Sequence, residues 1–367
     1  MDNLSLAMNM HRVRRLLVLL LVAATPLGAE PTPRSQPPDW DQLMTDSVKA
    51  LRNNHLPDAI ALCEQATQLA RGFATNDTRL ARSQTLRAEI YLWERNNDLA
   101  EQTFRLAVSS CEKAVGPNDP ALVHPLSSLA NYYYFVVRRY DQVVVLFERI
   151  LKIVSSAPHP NNRDVIMWSR NLGSVYETTG RFDQAEPLFN RAVALAEAHD
   201  ADWLPHELLT AADFYRAWGK CEKAEPLAQR ALAIREKALA QGGVDAQSDV
   251  AVALDTLGAV YLAWSKPEQA EASYQRSLNL VQSFLSPDDA DLAPRLAGLA
   301  EALRLQGKID PSESLYRRAL GITEKNAGVD SPEAAALRTR LAMLHPGQAS
   351  SAPPSALPVT NQVAGLK

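Results

Sequence analysis

The chain has 367 residues, and its 38 lysines and arginines against 42 aspartates and glutamates give a formal net charge of −4. A mildly acidic chain without a basic block lacks the positive patch that binding to phosphate backbones requires, so nucleic acid is not expected as a partner. Three cysteines with no framework spacing also exclude a disulfide-rich scaffold.

The N-terminal residues have the features of a secretory signal peptide. A basic stretch from His11 to Arg15 precedes an apolar run from Leu16 to Ala24, and a site of small residues ends at Ala29. The apolar run is too short to span a bilayer stably, so we expect no stable membrane span after cleavage of residues 1–29. The predicted location is therefore periplasmic or secreted, in a bacterial envelope. The proline-rich residues 30–38 are predicted to form a linker.

One pattern recurs seven times between residues 40 and 320, most clearly from Gly180 to Ala192. We use as a marker the small residue that opens the second half of each copy. The markers are Ala59, Ala100, Val143, Ala185, Ala224, Ala270 and Ser312. Their spacings of 41, 43, 42, 39, 46 and 42 residues indicate a stack of similar units.

The neighbours of the marker recur in the same frame. Around Ala185, a small residue (Gly173) lies twelve positions before, a tyrosine (Tyr176) nine before, an aromatic (Phe189) four after and a small residue (Ala192) seven after. Two antiparallel helices need small residues where they approach closely and bulky ones where gaps remain, so each copy is predicted to be a helix pair.

The position five residues before each marker is predicted to form the turn within the pair. Glycine, which adopts the left-handed conformation without strain, occupies this position in three copies. The seven turn residues are Asn54, Arg95, Arg138, Gly180, Gly219, Ser265 and Gly307.

These residues resemble the tetratricopeptide repeat, in the variant of about 42 residues found in kinesin light chains. The resemblance implies an all-α fold, a right-handed α-solenoid of about seven helix pairs. Residues 332–344 are predicted to form a C-terminal capping helix that completes the repeat region 39–345. Residues 346–367 are predicted to be a disordered tail.

The resemblance also places the first helix of each pair on an inner, concave wall. Residues of these helices that core packing does not use are predicted to bind a peptide or protein segment there. They are Arg82, Trp93, Tyr132, Arg170, Asn171, Ser174, Glu177, Asp213 and Arg216. In kinesin light chains an asparagine of the first helix often clamps the peptide, and here only Asn171 is in that frame. An ordinary solvated helix face stays the alternative for each residue.

The aromatic run from Tyr132 to Val137 has two interpretations. A slip of one residue, which turns a helix by about 100°, would bury the run in the core. Without the slip, the run forms an exposed apolar patch that marks a partner or dimer contact.

No sequence motif nominates a catalytic residue, a phosphate-binding loop or a metal site, so no enzyme activity, cofactor or metal is predicted. Cys63, Cys111 and Cys221 are interpreted as small helix residues, and the alternative is a disulfide between Cys63 and Cys111.

The leading hypothesis is an exported, non-enzymatic adaptor that binds a peptide or protein segment on the concave face. The alternative is a self-associating scaffold of an envelope complex, which acts through its outer face or its ends. An enzyme or a receptor for a small ligand is the third hypothesis. The sequence leaves the partner's identity and the oligomeric state open.

Overall fold

The computed structural model describes residues 39–242 and 246–345. The chain divides into two compact units, with the boundary between His199 and Asp200. The predicted signal peptide, linker and tail lie outside the described residues, so they stay predictions.

The first unit contains four antiparallel helix pairs. Its helices are α1 (Trp40–Arg52), α2 (Leu56–Ala70), α3 (Arg79–Trp93), α4 (Asn97–Val115), α5 (Val123–Asn131), α6 (Tyr140–Ser155), α7 (Asn162–Thr178) and α8 (Phe182–His199). A short 3₁₀-helix, Pro120–Leu122, precedes α5, and a π-helix, Tyr132–Val137, continues it.

The second unit contains three helix pairs and one single helix. Its helices are α9 (Leu204–Ala217), α10 (Cys221–Ala240), α11 (Ala246–Ala263), α12 (Pro267–Val281), α13 (Leu292–Leu305), α14 (Ile309–Ala327) and α15 (Pro332–Leu344). Helix α15 packs on α14 as the predicted cap. The all-α class and the seven helix pairs are confirmed, and the described residues contain no strand. Within those same ranges, every helix is too short or too polar to cross a membrane.

The core of each unit follows the repeat register. All seven markers are 0% exposed, and the residues seven positions after them are at most 1% exposed. Glycines of the first helices meet aromatic rings of the second helices. A Cβ atom on Gly173 would lie 3.0 Å from Cε2 of Phe189, and one on Gly258 would lie 2.7 Å from Cε2 of Tyr274. The small residues therefore mark the points where paired helices approach most closely.

The turns within the pairs are also as predicted. All seven turn residues have positive φ, between 56° and 77°. In most pairs a backbone hydrogen bond closes this turn: the N–H of the residue four positions before the marker donates to the C=O of the residue nine positions before it. Examples are Arg181 to Tyr176 at 2.8 Å and Lys266 to Tyr261 at 2.9 Å. These bonds supply a donor to carbonyl groups at the end of the first helix that would otherwise have no hydrogen-bond partner within the helix.

The third pair departs from this register by one residue. There the N–H of Arg139 donates to the C=O of Tyr133 (2.9 Å), ten residues before the marker, and the π-helix absorbs the extra residue. Every residue upstream in α5 is consequently shifted by one position. Ala130, 0% exposed, takes the small-residue position, and Tyr133, 2% exposed, takes the tyrosine position.

The shift corrects one predicted groove residue. Tyr132 is 3% exposed, because the slip turns it into the core beside Phe104, with ring centres 5.9 Å apart. Its hydroxyl donates to the C=O of Asn97 at 3.2 Å. The prediction that Tyr132 belongs to an exposed wall is therefore wrong, and burial by a one-residue slip is correct for Tyr132 and Tyr133. Residues 134–137 are half-buried.

The three cysteines are free and buried, so the alternative of a disulfide between Cys63 and Cys111 is wrong for this structure. Burial raises the pKa of the Cys63 thiol to about 12. The cysteines therefore serve as small core residues.

Candidate functional site

The first unit contains an open cavity of about 590 Å³. Most of its wall comes from α3, α5 and α7, which are the first helices of consecutive pairs, and from the turns before α3 and α5. Helices α4 and α6 contribute Cys111 and Phe147. The lining residues are Thr78, Ala81, Arg82, Cys111, Pro120, Ala121, Val123, His124, Pro125, Ser127, Asn131, Phe147, Met167, Trp168 and Asn171.

The cavity is built from equivalent positions of three repeats. Arg82 and Met167 each lie eighteen residues before their marker, and His124 lies nineteen before its own. Because the third pair is shifted by one residue, these three side chains occupy the same place on α3, α5 and α7. The stacking of the repeats therefore brings together residues that are more than forty positions apart in sequence.

Two asparagine amides on the wall have no hydrogen-bond partner among the described residues. Neither Asn131 nor Asn171 makes a side-chain hydrogen bond to any residue in the described ranges, and both are half-buried. A carboxamide offers two N–H donors and a carbonyl acceptor, which match the C=O and N–H groups of an extended main chain. The two amides are therefore available to a peptide backbone.

The cavity carries a positive charge. Arg82 is exposed, its guanidinium lies 4.7 Å from the centre of the Trp40 ring, and none of the lining residues is acidic. His124 is itself exposed on the wall. With Arg82 as its charged group, the wall favours a ligand with a negative group.

Apolar side chains form the rest of the cavity surface. Phe147 and Trp168 meet edge to face with their ring centres 5.3 Å apart, and both are 7% exposed. Met167, which directly precedes Trp168, is half-buried and lines the same cavity. These groups offer a contact for an apolar side chain, and the flexible thioether adapts to its shape.

The structure brings two of the predicted groove residues, Arg82 and Asn171, into this one cavity. The other four predicted on these helices, Trp93, Arg170, Ser174 and Glu177, are half-buried on α3 and α7 outside its lining. The remaining two predicted groove residues, Asp213 and Arg216, belong to α9 of the second unit. There Nε of Arg216 donates to Oδ1 of Asp213 at 3.0 Å. The charges of Asp213 and Arg216 are thus paired with each other.

Sequence reasoning did not assign His124, Asn131 and Trp168 to the site. A signal for Asn131 was present, because it is the one residue other than serine, alanine or glycine found twelve positions before the markers. The slip explains the exception, since Ala130 takes the small-residue position and Asn131 occupies the position that Ser174 holds in the fourth pair. Across residues 39–242 and 246–345, no cluster of three histidines, cysteines or acids is arranged to hold a metal ion.

The comparisons agree with this architecture. A family model described as tetratricopeptide repeat matches residues 134–198, 164–237 and 249–325. A sequence comparison with curated proteins finds no match.

Three solved structures are similar to this chain, and the two with a TM-score above 0.5 illustrate the similarity in fold. A signal-transduction ATPase with a tetratricopeptide repeat sensor, from Pyrococcus horikoshii, is similar over 79% of this chain and 43% of its own, with 16% identity and a TM-score of 0.59. A tetratricopeptide repeat protein from Parabacteroides merdae is similar over 83% of this chain and 98% of its own, with 11% identity and a TM-score of 0.52. The repeats of a putative kinesin light chain from Podosopora anserina cover 57% of this chain and 98% of their own, with 19% identity and a TM-score of 0.48.

Identities this low concern the fold alone. The family model provides evidence of family membership that similarity in fold does not, because it matches the sequence pattern itself in the third to seventh pairs. With the buried markers and the seven left-handed turns, that match identifies the chain as a tetratricopeptide-repeat protein.

Proposed function

We propose that this chain is a non-enzymatic adaptor whose first unit binds a short extended segment of a partner protein in the cavity between α3, α5 and α7. The observation that carries the proposal is the pair of unpartnered amides, Asn131 and Asn171, beside the positive charge of Arg82. Repeats of this family support protein interaction in general.

The cavity chemistry defines the segment. The two amides bind main-chain groups and are indifferent to side chains, so they supply affinity. Arg82 selects a carboxylate, because a guanidinium forms paired, charge-assisted hydrogen bonds with that group. Trp168 and Met167 favour an apolar side chain next to it. We therefore expect an acidic residue adjacent to an apolar one.

The same residues favour binding over catalysis. Burial raises the pKa of the Cys111 thiol, which keeps it protonated. Oγ of Ser127 donates to the C=O of His124 at 2.9 Å rather than to an imidazole nitrogen. The cavity wall therefore holds no activated nucleophile.

We also propose that the adaptor acts in the bacterial envelope, on the basis of the signal-like residues 1–29. N-terminal sequencing of the protein from the native host tests this. A mature chain that starts near Glu30 in the exported fraction supports the proposal, and an intact Met1 in the cytosolic fraction contradicts it.

The binding proposal is tested with peptides selected from a random displayed library on the full chain. Their affinity is then measured by fluorescence anisotropy. We expect Asn171→Ala to weaken binding about tenfold, since hydrogen bonds of this kind contribute about 1 to 1.5 kcal/mol, and Arg82→Glu to weaken it further. Gln102→Ala, an exposed amide on α4, is the matched control and should bind as wild type. Wild-type affinity in both cavity variants would refute the proposal.

A further inference from the structure

A recurring ion pair connects neighbouring repeats at one joint of the first unit and at both joints of the second. An acidic residue directly after a marker contacts a basic residue that lies four positions before the next marker. The pairs are Arg139 with Glu101 (3.5 Å), Lys266 with Glu225 (3.5 Å) and Lys308 with Glu271 (2.9 Å). The joint between the first two pairs of the first unit carries Ile60 and Asn96 at these positions, so neither charge is present.

The joint between the third and fourth pairs keeps the cation and lacks the carboxylate. Arg181 occupies the basic position, and Val144, 7% exposed, stands where the acidic residue is found elsewhere. Among the joints within each unit, this is the one in which the two charges do not match.

Within the described residues, no carboxylate lies within hydrogen-bond distance of the Arg181 guanidinium. Nε donates to Oγ1 of Thr179 at 3.1 Å, and the guanidinium lies 4.6 Å from the centre of the Tyr176 ring. Nη2 is buried and makes no hydrogen bond with any residue in the described ranges. Oδ1 of Asp141, at 3.8 Å, is too distant for a hydrogen bond, and the Asp141 side chain is 94% exposed.

Arg181 lines a second open cavity of about 590 Å³ at the turns of the third and fourth pairs. The remaining lining residues are Arg138, Arg139, Tyr140, Asp141, Gln142 and Thr179. Three arginines and one aspartate give this lining a net charge of +2. It shares no residue with the cavity between α3, α5 and α7.

We propose that this second cavity is an anion site that binds a carboxylate of an acidic segment of a partner protein. The bound carboxylate takes the place of the acidic residue that Val144 replaces. A carboxylate fits better than other anions because the equivalent cations Arg139, Lys266 and Lys308 are each met by a carboxylate on the polypeptide chain. The proposal does not depend on the peptide-binding function of the first cavity.

Titration calorimetry of the full chain at low ionic strength tests the site with three probes: an acetylated hexaglutamate peptide, succinate and inorganic phosphate. We expect the hexaglutamate peptide to bind, and Arg181→Gln to weaken it about tenfold or more, because charge-assisted hydrogen bonds are lost. Lys152→Gln is the matched control: it removes the same charge from an exposed site in the last turn of α6, whereas the cavity is lined by the first turn of that helix, and it should leave binding unchanged.

A second variant supplies the missing group from within the chain. Val144→Glu should abolish hexaglutamate binding, because its carboxylate occupies the arginines, and should raise the melting temperature. If Val144→Glu fails to fold, Arg181→Gln alone decides the question.

Several outcomes would overturn the proposal. No binding of hexaglutamate to wild type, or equal binding to Arg181→Gln, removes the site. Succinate binding as tight as that of the peptide assigns the site to free organic acids, and binding of phosphate alone assigns it to phosphate. Each result contradicts an acidic protein segment as the ligand.

Discussion

Substitution of Gly258 by alanine tests the packing register, because two effects of known size oppose each other there. In a helix interior, alanine is favoured over glycine by about 1 kcal/mol. At Gly258 on α11, however, the added Cβ would lie 2.7 Å from Cε2 of Tyr274, where ordinary carbon contacts are about 3.5 to 4 Å. Tyr274 is 7% exposed, and its ring also closely contacts Gly298 of α13.

The ring therefore has little freedom to retreat. Overpacking of a well-packed core costs about 1 to 3 kcal/mol, and a confined ring places this site near the upper end of that range. After the gain in helix propensity is subtracted, we expect Gly258→Ala to destabilise the second unit by about 1 to 2 kcal/mol. The melting temperature should fall by about 2 to 8 °C.

Gly321 provides the matched control within the same unit. It lies in α14, it is exposed, and an added Cβ would meet nothing within 4 Å. Gly321→Ala should therefore raise stability by about 1 kcal/mol. Thermal and urea unfolding followed by circular dichroism measure both changes.

A double variant isolates the contact itself. In a Tyr274→Ala background the ring is absent, so adding Gly258→Ala should be neutral or stabilising. If Gly258→Ala stabilises the wild-type chain as much as Gly321→Ala does, the close approach of α11 and α12 is refuted.

Four further predictions follow from single sites. Burial raises the pKa of Glu89 to about 7, so its stabilising effect is complete below the unfolded value near 4.5 and is lost as pH rises through 7. The unfolding free energy of Glu89→Gln relative to that of wild type should therefore rise by up to about 3 kcal/mol when the pH is raised from 4.5 to 8, as measured by urea unfolding. The same difference between variant and wild type at both pH values would contradict this. Arg95→Gly should stabilise by about 1 kcal/mol in the same assay, because Arg95 has a φ of 59°; a loss of stability would show that its side chain matters more. Arg295→Ala should cost about 3 kcal/mol in thermal unfolding, since it removes the cation that lies 2.9 Å from the half-buried Asp255 carboxylate, and a change below 1 kcal/mol would contradict that role. Cys63 should not react with a thiol reagent at pH 8 in the native state and should react in urea; rapid native labelling would show that the thiol is accessible.

The repeat frame made most of the fold predictable from sequence. Small markers and left-handed turn residues are local requirements of a close helix pair, so they are visible at each copy without knowledge of the others. Asn54, Arg95, Arg138 and Ser265 were assigned to the turn from their position alone, and all four have positive φ. These residues show that the frame outweighs residue preference, because none of them is glycine.

The third pair shows where sequence reasoning was insufficient. Counting back from Val143 places Tyr134 at the tyrosine position, but the extra residue lies in the π-helix, and Tyr133 takes that position. Spacing alone does not say which turn of a helix absorbs an added residue. The slip turns Tyr132 into the core and Asn131 onto the cavity wall, so one misplaced residue changed the predicted site.

The site was less predictable than the fold because it depends on relations between repeats. Arg82, His124 and Met167 are unlike in chemistry, so no motif links them, and only stacking places them together. The unmatched charge of Arg181 is likewise visible only when Val144 is compared with Glu101, Glu225 and Glu271.

Whether a partner segment lies between α3, α5 and α7 is measured most directly by site-specific photo-crosslinking. A benzophenone amino acid replaces Ser127 on the cavity wall or Val145, which is 60% exposed on α6 and outside the cavity. With a peptide selected on the wild-type chain, we predict crosslinks from position 127 and no crosslinks from position 145. The crosslinks from position 127 should be lost when Arg82→Glu is added. Crosslinks from position 145 with none from position 127 would contradict binding in the cavity.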